Sequence, residues 1–472
     1  MTAVLSRRAI RILLVGIQLA TFLYVGHLRV ANAQRIHEPR DFGDSSEYVR
    51  IAKLPLLSWS FWGEAKPPVT SLLYKLVGTE QARIFTFQLY FSILCWGLLA
   101  LAVASALQSY VLKAAGFALI LGFSLSRDIF MWDPFIGSES ITFSLTVLFV
   151  AAVLWLLADW RAFKAAIVIL LAFLTAFSRD TSAWLLPLIA ALLVPGLWLS
   201  SKRKELLVMI AAFLAIFAAS AWSARVGLRQ EYNLASIMSF RVFPNPAYLG
   251  FFTNQGMPAD PMLVEESSYS LTPGHFKWAV FQALLFSPEQ EGWREWVRAS
   301  GTRTYLRFLW FFKADTLQGM FAGETIRDVF YPDLYYYTAT GYRPIITSPG
   351  LAELLYPTRF GMLYFYVANI IAAAALGYAL GRRKMLWLVP IFMVLATYPQ
   401  AFLVWNGDPN DVARHSVYHN MTERLGLWIL VLFVADTLWL EAAPRLTRLW
   451  QDARASSLFV RLGVSQPKRA EP

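Results

Sequence analysis

Residues 84–107 read IFTFQLYFSILCWGLLALAVASAL, a stretch of 24 residues without a charged side chain. A helix of about 20 apolar residues is long enough to cross the ~30 Å hydrocarbon core of a lipid bilayer. The stretch therefore predicts a transmembrane helix, and comparable apolar runs recur along the chain.

The composition of the whole chain agrees with a membrane protein. Of 472 residues, 57% are hydrophobic, 15% aromatic and only 15% charged, and the mean hydropathy is +0.47. A water-soluble protein is roughly a quarter charged. The three soluble domains that length alone suggests are therefore excluded, together with disordered and fibrous classes. The single cysteine, Cys95, lies in an apolar run and excludes an intrachain disulfide and a thiol metal cluster.

Ten apolar runs are predicted to span the membrane. They lie near residues 10–29, 84–107, 114–126, 139–158, 165–177, 183–200, 206–223, 358–380, 386–404 and 425–440. We therefore predict an all-α fold, a polytopic transmembrane helical bundle of about ten spans with outer-face loops and juxtamembrane helices.

The formal charge of +11 is distributed in short clusters between the runs rather than in one basic surface. Such clusters mark cytoplasmic loops and face anionic lipid head groups, so we expect membrane lipids and no nucleic acid as partners. With ten spans, every tight cluster between the spans falls on one side, and both termini are predicted to be cytoplasmic. The cluster residues are Arg7, Arg8, Arg11, Lys113, Arg161, Lys164, Lys202, Arg203, Lys204, Arg382, Arg383 and Lys384.

The spans divide the chain into four parts. Residues 1–223 form an N-terminal transmembrane module with a long first outer loop (30–83), and residues 224–357 form a longer outer loop with amphipathic stretches at 276–287 and 301–322. Residues 358–440 form C-terminal spans, followed by a basic cytoplasmic tail (441–472). The first run also resembles a signal peptide, with Ala31-Asn32-Ala33 near its end, but we expect it to remain as a span.

The first outer loop carries candidate catalytic acids. Asp41 and Asp44 precede a predicted helix on which Asp44, Glu47 and Tyr48 share one face. A carboxylate at the outer end of a span is placed to act as a general base, with Glu47 and Tyr48 binding substrate. The alternative is a helix cap on a solvated face. Lys66, before a proline pair, either binds a lipid phosphate or snorkels to the interface.

The later outer loops add further candidates of both charges. Asp133 lies in the second loop, and Glu139 begins a span, where capping alone also explains an acid. Arg179 lies in a short loop, where pairing with Asp180 is the alternative, and Arg414 and His415 lie in the last outer loop, 404–424. With Lys66, these three residues are predicted to bind the donor phosphate. Because all of these groups fall on one side, we expect them to converge on one cavity at the membrane surface.

Four short motifs resemble GT-C-fold glycosyltransferases, polytopic enzymes that use polyprenyl-phosphate-linked sugars. The resemblance covers roughly residues 35–190 and 400–440, and it is nearest to the aminoarabinose and protein-mannosyl transferase branch. The motifs are Asp44-Ser-Ser-Glu-Tyr48 with Ala52; Lys66-Pro67-Pro68 with Leu72-Leu73-Tyr74; Ser178-Arg179-Asp180 before Trp184-Leu185-Leu186-Pro187; and Gly407-Asp408 through Arg414-His415.

The resemblance implies a role for individual residues. The family's catalytic first-loop acid maps onto Asp44, with Asp41 as the alternative, and a second acid maps onto either Asp133 or Glu139. The family's contacts to the lipid phosphate map onto Lys66 and Arg414. Family members with large soluble C-terminal domains bind acceptors there, whereas about 30 residues follow the last predicted span here, so residues 224–357 would select the acceptor.

The function predicted from the sequence is transfer of a sugar from a polyprenyl-phosphate donor to a glycan or lipid acceptor. The reaction would be an inverting single displacement at the outer, periplasmic or extracellular face of a bacterial inner membrane. No cofactor is required, and a divalent cation held by Asp41, Asp44 and Glu139 is an open alternative. The alternative functions are a transporter or lipid flippase and a non-catalytic membrane assembly subunit.

Overall fold

The computed structural model describes residues 7–35, 40–41, 43–199, 202–268, 275–323, 325–332, 345–358, 361–382 and 384–462. Within these ranges the chain is almost entirely helical. The described strands are β1 (Arg40–Asp41) and β2 (Phe135–Ile136), which pair in parallel. The prediction of an all-α polytopic bundle is confirmed.

The helices of the N-terminal half lead from the first span to the end of the seventh predicted span. They are α1 (Arg7–Ala33), α2 (Ser45–Lys53), α3 (Trp59–Trp62), α4 (Pro68–Val77), α5 (Gln81–Ala106), α6 (Tyr110–Phe123), α7 (Arg127–Phe130), α8 (Ser138–Ala158), α9 (Ala162–Ala176), α10 (Asp180–Ala183), α11 (Leu185–Leu193), α12 (Gly196–Leu199) and α13 (Arg203–Val226).

The helices of the C-terminal half include the last spans and, before them, those of the predicted outer loop 224–357, which we call the outer segment. They are α14 (Arg229–Ile237), a π-helix (Met238–Val242), α15 (Pro246–Asn254), α16 (Pro261–Ser268), α17 (His275–Phe286), a 3-10 turn (Pro288–Gln290), α18 (Glu291–Trp296), a π-helix (Val297–Gly301), α19 (Thr302–Phe311), α20 (Lys313–Gln318), a 3-10 turn (Gly319–Phe321), α21 (Thr325–Phe330), α22 (Pro349–Leu355), α23 (Gly361–Arg382), a 3-10 turn (Met385–Trp387), α24 (Leu388–Leu395), α25 (Thr397–Gly407) and α26 (Val412–Leu462).

Eight helical stretches among the described residues are long and apolar enough to cross a membrane, against ten predicted spans. The other two predicted spans correspond to α6 and α9, which have 14 and 15 residues. At 1.5 Å per residue these helices are about 21–23 Å long, shorter than the hydrocarbon core. Both pack beside long spans, α6 on α5 and α9 on α8.

The predicted outer loop 404–424 is wrong in its extent. Helix α26 already begins at Val412, and only residues 408–411 connect it to α25. Several polar side chains among residues 412–424 form hydrogen bonds in this helical, buried position. For example, Asn420 donates to the carbonyl of Val329 at 2.7 Å, and Arg424 donates to the carbonyl of Pro357 at 2.8 Å.

Helix α8 lies at the centre of the bundle. Its Phe143 and Val147 belong to one apolar core with α5, α6, α23, α24 and α26, while its Ile141 and Leu145 belong to a second core with α4, α9, α11 and α13. A helix that is apolar on all sides is expected to be buried in this way. Because Glu139 is in its first turn, the central helix fixes an acid at one end of the bundle.

Small residues allow close helix contacts in the C-terminal spans. A Cβ atom at Gly426 would lie 2.7 Å from the Cβ of Met393 and 3.0 Å from the carbonyl oxygen of Pro390. Glycine therefore permits α26 to pack directly on α24, as is common between membrane helices. At the end of the bundle opposite Glu139, Asp436 accepts hydrogen bonds from the backbone amides of Gln108 and Ser109, at 2.8 and 2.9 Å.

The outer segment has a local apolar core of its own. Leu234, Met238, Phe252, Trp293 and Phe308 are buried together within it. The predicted stretch 276–287 corresponds to α17, and the predicted stretch 301–322 is divided into α19, α20 and a 3-10 turn. On α19 the side chains of Trp310 and Phe311 are more than 70% exposed, as the predicted amphipathic character requires.

Candidate functional site

Pairing of the first two outer loops sets the position of Asp44. Strand β1 lies next to β2, with Asp41 opposite Ile136, and the hydroxyl of Ser45 donates to the carbonyl of Ile136. Asp44 precedes α2, but its side chain makes no capping hydrogen bond. The carboxylate is therefore directed to other partners, while the predicted helix at this point is confirmed.

Two cations from distant parts of the chain bind Asp44. Lys66 Nζ lies 2.8 Å from one carboxylate oxygen, and Arg414 Nη2 lies 3.1 Å from the other. Burial raises the pKa of Asp44, but the charges and hydrogen bonds of Lys66 and Arg414 lower it more, so the pKa lies well below its usual range. The first outer loop and the last span thus meet at one carboxylate.

Glu139 lies between two guanidinium groups. Its carboxylate is 3.7 Å from Arg179 and 3.7 Å from Arg414, and all three side chains are nearly buried. Arg414 also lies 2.8 Å from Asp411, so its charge is shared among three acids. These contacts link Glu139 to Asp44 through Arg414, and we call Asp44, Lys66, Glu139, Arg179 and Arg414 the charged cluster.

Side chains from α2, α4 and α5 hold the backbone that leads into Glu139. Gln88 donates from Nε2 to the carbonyls of Asp133 and Phe135, each at 2.8 Å. Tyr74 donates to the carbonyl of Gly137 at 2.8 Å and lies 2.6 Å from Gln88 Oε1. Residues 133–137 therefore have little freedom, and they determine where Glu139 begins α8.

Asp408 and His415 extend the charged cluster towards the outer segment. His415 Nε2 lies 3.1 Å from Asp408, and its Nδ1 contacts Arg179. Since a guanidinium only donates, Nδ1 accepts and Nε2–H donates to Asp408. Burial raises the pKa of Asp408, but the interactions with His415 and Ser236 lower it by more, so the pKa falls to about 2.

Tyr48 lies beside the charged cluster, whereas Glu47 and Asp133 lie apart from it. Burial raises the pKa of Tyr48, and the charges of Asp44 and Glu139 raise it further. Glu47 is partly exposed and pairs with Arg50 at 2.9 Å. The Asp133 carboxylate is buried, forms an ion pair with Arg29 and accepts from Ser140 at 3.0 Å. Of the two alternative second acids, Glu139 is therefore the one that lies beside Arg179 and Arg414. The side chain of Asp41 lies outside the described residues.

Sequence reasoning did not identify several residues of this region. Arg29, Gln88 and Ser236 were missed, and Tyr74 was named only as part of a motif. Arg29 and Gln88 contact Asp133, Tyr74 contacts the backbone two residues before Glu139, and Ser236 contacts Asp408. A polar side chain inside a predicted span is expensive in lipid and often functional. Gln88, within the apolar run 84–107, carried that signal.

An apolar cavity of about 480 Å³ lies between α11, the segment α20 to Met320, and α25. Helices α11 and α25 are close to the charged cluster in the sequence: α11 begins a few residues after Arg179, and α25 ends directly before Asp408. The cavity is lined by Trp184, Pro187, Leu188, Leu317, Met320, Tyr398, Pro399, Phe402 and Leu403. Its chemistry suits a hydrocarbon chain.

The described residues contain no group of three or more histidine, cysteine, aspartate or glutamate side chains arranged to hold a metal ion. The side chain of Asp41, one of the three predicted ligands, is outside that set. Whether a divalent cation binds here therefore stays a prediction about Asp41, Asp44 and Glu139.

Comparison with known proteins gives distant structural similarity only. No protein-family profile and no curated protein matches the chain. Among solved structures, the chain is similar to the archaeal oligosaccharyltransferase AglB from Archaeoglobus fulgidus in complex with an inhibitory peptide and a dolichol-phosphate. The sequence identity is 13% and the TM-score is 0.43. The similarity covers 95% of this chain and 52% of that one, so this chain spans about half the length of the archaeal protein.

Proposed function

We propose that the chain is a membrane glycosyltransferase of the GT-C type that transfers a sugar from a polyprenyl-phosphate donor to an acceptor hydroxyl. The observation that carries the proposal is the Asp44 carboxylate bound between Lys66 and Arg414 at one end of a transmembrane bundle. This arrangement supplies a base for the acceptor and two cations for a phosphate.

The two cations are proposed to change partners when the donor binds. A lipid phosphate competes with Asp44 for Lys66 and Arg414, which are the groups that lower the pKa of Asp44. With those interactions weakened, burial remains and raises the pKa. Donor binding would therefore make Asp44 a stronger base at the moment when the acceptor needs one.

The reaction is a single displacement with Asp44 as the base. The acceptor hydroxyl loses its proton to Asp44, and its oxygen forms a bond to the anomeric carbon from the face opposite the phosphate. The bond between that carbon and the phosphate oxygen breaks, and the electron pair leaves with the lipid phosphate. Lys66 and Arg414 stabilise the charge that develops there, and the anomeric configuration inverts.

Glu139 and His415 are proposed to orient the guanidinium groups of the site. Glu139, close to both Arg179 and Arg414, restricts the directions in which the guanidinium groups point. His415 fixes Arg179 from the other side. Asp41, Tyr48, Glu47 and Asp133 stay as predicted candidates, and of these Tyr48 lies beside the charged cluster.

The membrane position of the site follows from the helices that lead to it. The apolar cavity beside α11 and α25 is proposed to accept part of the polyprenyl chain, which cannot leave the lipid. The basic residues Arg161 and Lys164 follow the end of α8, and Lys202 precedes the start of α13, so all three lie at the opposite end of these helices from the cluster. By the positive-inside rule we propose that this end is cytoplasmic, and therefore that the charged cluster faces outwards; the proposed membrane is a bacterial inner membrane.

The test is transfer by the purified chain in lipid with a panel of radiolabelled polyprenyl-phosphate sugars and glycan or lipid acceptors. Asp44→Asn is expected to abolish release of label while the protein still inserts and folds. Glu80→Gln is the matched control, because Glu80 is an exposed acid of the same outer loop that pairs only with Arg83 among the described contacts.

Retained turnover in Asp44→Asn would remove Asp44 from the role of base. Label that crosses the bilayer without leaving the lipid would instead support the flippase alternative. If neither turnover nor bound polyprenyl phosphate were found by mass spectrometry, the proposed enzyme class would be wrong.

A further inference from the structure

Arg241 is a cation next to the charged cluster that the proposed reaction does not use. It lies on the π-helix Met238–Val242, a conformation that is rare and frequent at functional sites. Its guanidinium carbon is 3.3 Å from the centre of the Trp405 ring, and Nη1 is 3.4 Å from Asn406 Oδ1. The aromatic stack fixes the plane of the guanidinium.

The charge of Arg241 has no counter-ion in the part of the chain that the structure describes. None of the ion pairs there includes it, and its Nε and Nη2 atoms are buried without a hydrogen-bond partner. Burial lowers the pKa of Arg241 to about 10, while the nearby charge of Asp408 acts in the opposite direction. An unpaired, water-shielded cation is costly to keep in a folded protein.

The two unpartnered nitrogens lie on the same edge of the guanidinium. Nε–H and the parallel N–H of Nη2 form the side-on fork that matches the two oxygens of a carboxylate or phosphate. Nη1, which contacts Asn406, lies outside that fork. This edge of the Arg241 guanidinium therefore fits an anion that presents two oxygens in one plane.

We propose that Arg241 binds an oxyanion, carboxylate or phosphate, that belongs to a molecule bound at the outer face. The proposal rests on the proposed function, since it adds an anionic group to the substrates of the same site. Ser236, one turn before Arg241, donates to Asp408 at 2.7 Å, and Asp408 contacts His415. With the contact between His415 and Arg179, three hydrogen bonds lead from this helical segment to the charged cluster.

Two sources can supply the oxyanion, and they require separate measurements. An acidic group on the sugar or acceptor belongs to a substrate and is represented by a soluble anion, whereas a phospholipid head group belongs to the membrane itself. The probes are sodium glucuronate and inorganic phosphate, added to protein in phosphatidylcholine nanodiscs at constant ionic strength, and nanodiscs that contain phosphatidylglycerol with no added anion. The measured quantity is the rise of the unfolding midpoint with probe concentration, which gives a dissociation constant.

In the wild type, at least one probe is expected to raise the midpoint, and Arg241→Gln is expected to weaken that effect about ten- to hundredfold in dissociation constant. Arg241→Lys keeps the charge without the fork and should fall between the two. Arg307→Gln is the matched control, because Arg307 is an exposed cation of the outer segment whose described contact is Gln255 at 3.3 Å. Response to glucuronate or phosphate identifies a soluble group, and response to phosphatidylglycerol alone identifies a lipid head group.

Three results would overturn the subsite: no response of the wild type to any probe, an undiminished response in Arg241→Gln, or loss of the response in Lys66→Ala instead. The last result would place the oxyanion at the donor cations. If Arg241→Gln does not fold, Arg241→Lys provides the comparison. Because the readout is binding, it is separate from the transfer assay: failure of the proposed function appears as turnover in Asp44→Asn, whatever Arg241 binds.

Discussion

Replacement of Gln88 by leucine tests whether the α5 contact to residues 133–137 controls the site. Gln88 is fully buried, and the substitution leaves the carbonyls of Asp133 and Phe135 without their side-chain donor. An unsatisfied buried group costs about 1–3 kcal/mol, so two of them, partly offset by the added apolar contact, should destabilise the protein by about 2–4 kcal/mol.

The predicted kinetic effect of Gln88→Leu is specific to a positioning role. Lys66 and Arg414 do not contact Gln88, so KM for the lipid donor should change little, while displacement of Glu139 should lower kcat about tenfold or more. Unfolding midpoints in nanodiscs and initial transfer rates measure the two effects. Thr86→Val is the control, since Thr86 is on the lipid-exposed side of the same helix and donates only to Ala82. An unchanged midpoint together with an unchanged kcat would refute the argument.

Three further predictions concern other contacts. Lys66→Ala should raise KM for the lipid donor about tenfold, measured by initial rates, and an unchanged KM would contradict the phosphate role. Because the pKa of Asp408 is depressed, its stabilisation is present above about pH 4 and is lost as the pH falls towards 2; Asp408→Asn should flatten the unfolding midpoint across that window. Gly426→Ala should cost about 1–3 kcal/mol by forcing α26 from Met393, whereas Gly377→Ala, with nothing within 4 Å, should be neutral or stabilising in the same unfolding measurement.

The number and nature of the spans were largely predictable from the sequence. Apolar length is a local property, so eight of the ten predicted spans correspond to helices long enough to cross a bilayer. The same local criterion misplaced the start of α26. Its first turns are polar in composition, and only tertiary partners such as the carbonyls of Val329 and Pro357 explain why they are buried and helical.

The site was predictable in its membership but not in its geometry. The order of the predicted spans was enough to expect Asp44, Lys66 and Arg414 on the same side of the bundle, because successive spans place alternate loops on the same side. Which acid meets which cation depends on side-chain contacts across the bundle. For this reason the sequence could not choose between Asp133 and Glu139, and it gave no indication that Arg29 would neutralise Asp133.

The ion pair between Asp44 and Arg414 joins residues 370 positions apart, across most of the spans. Synthesis supplies Lys66 long before Arg414, which belongs to the last helix. A chain that stops before α26 would therefore carry an acid and a lysine but no completed pair of cations. If the proposed reaction needs both cations, it begins only once the last helix is in place, and an unfinished chain is inactive.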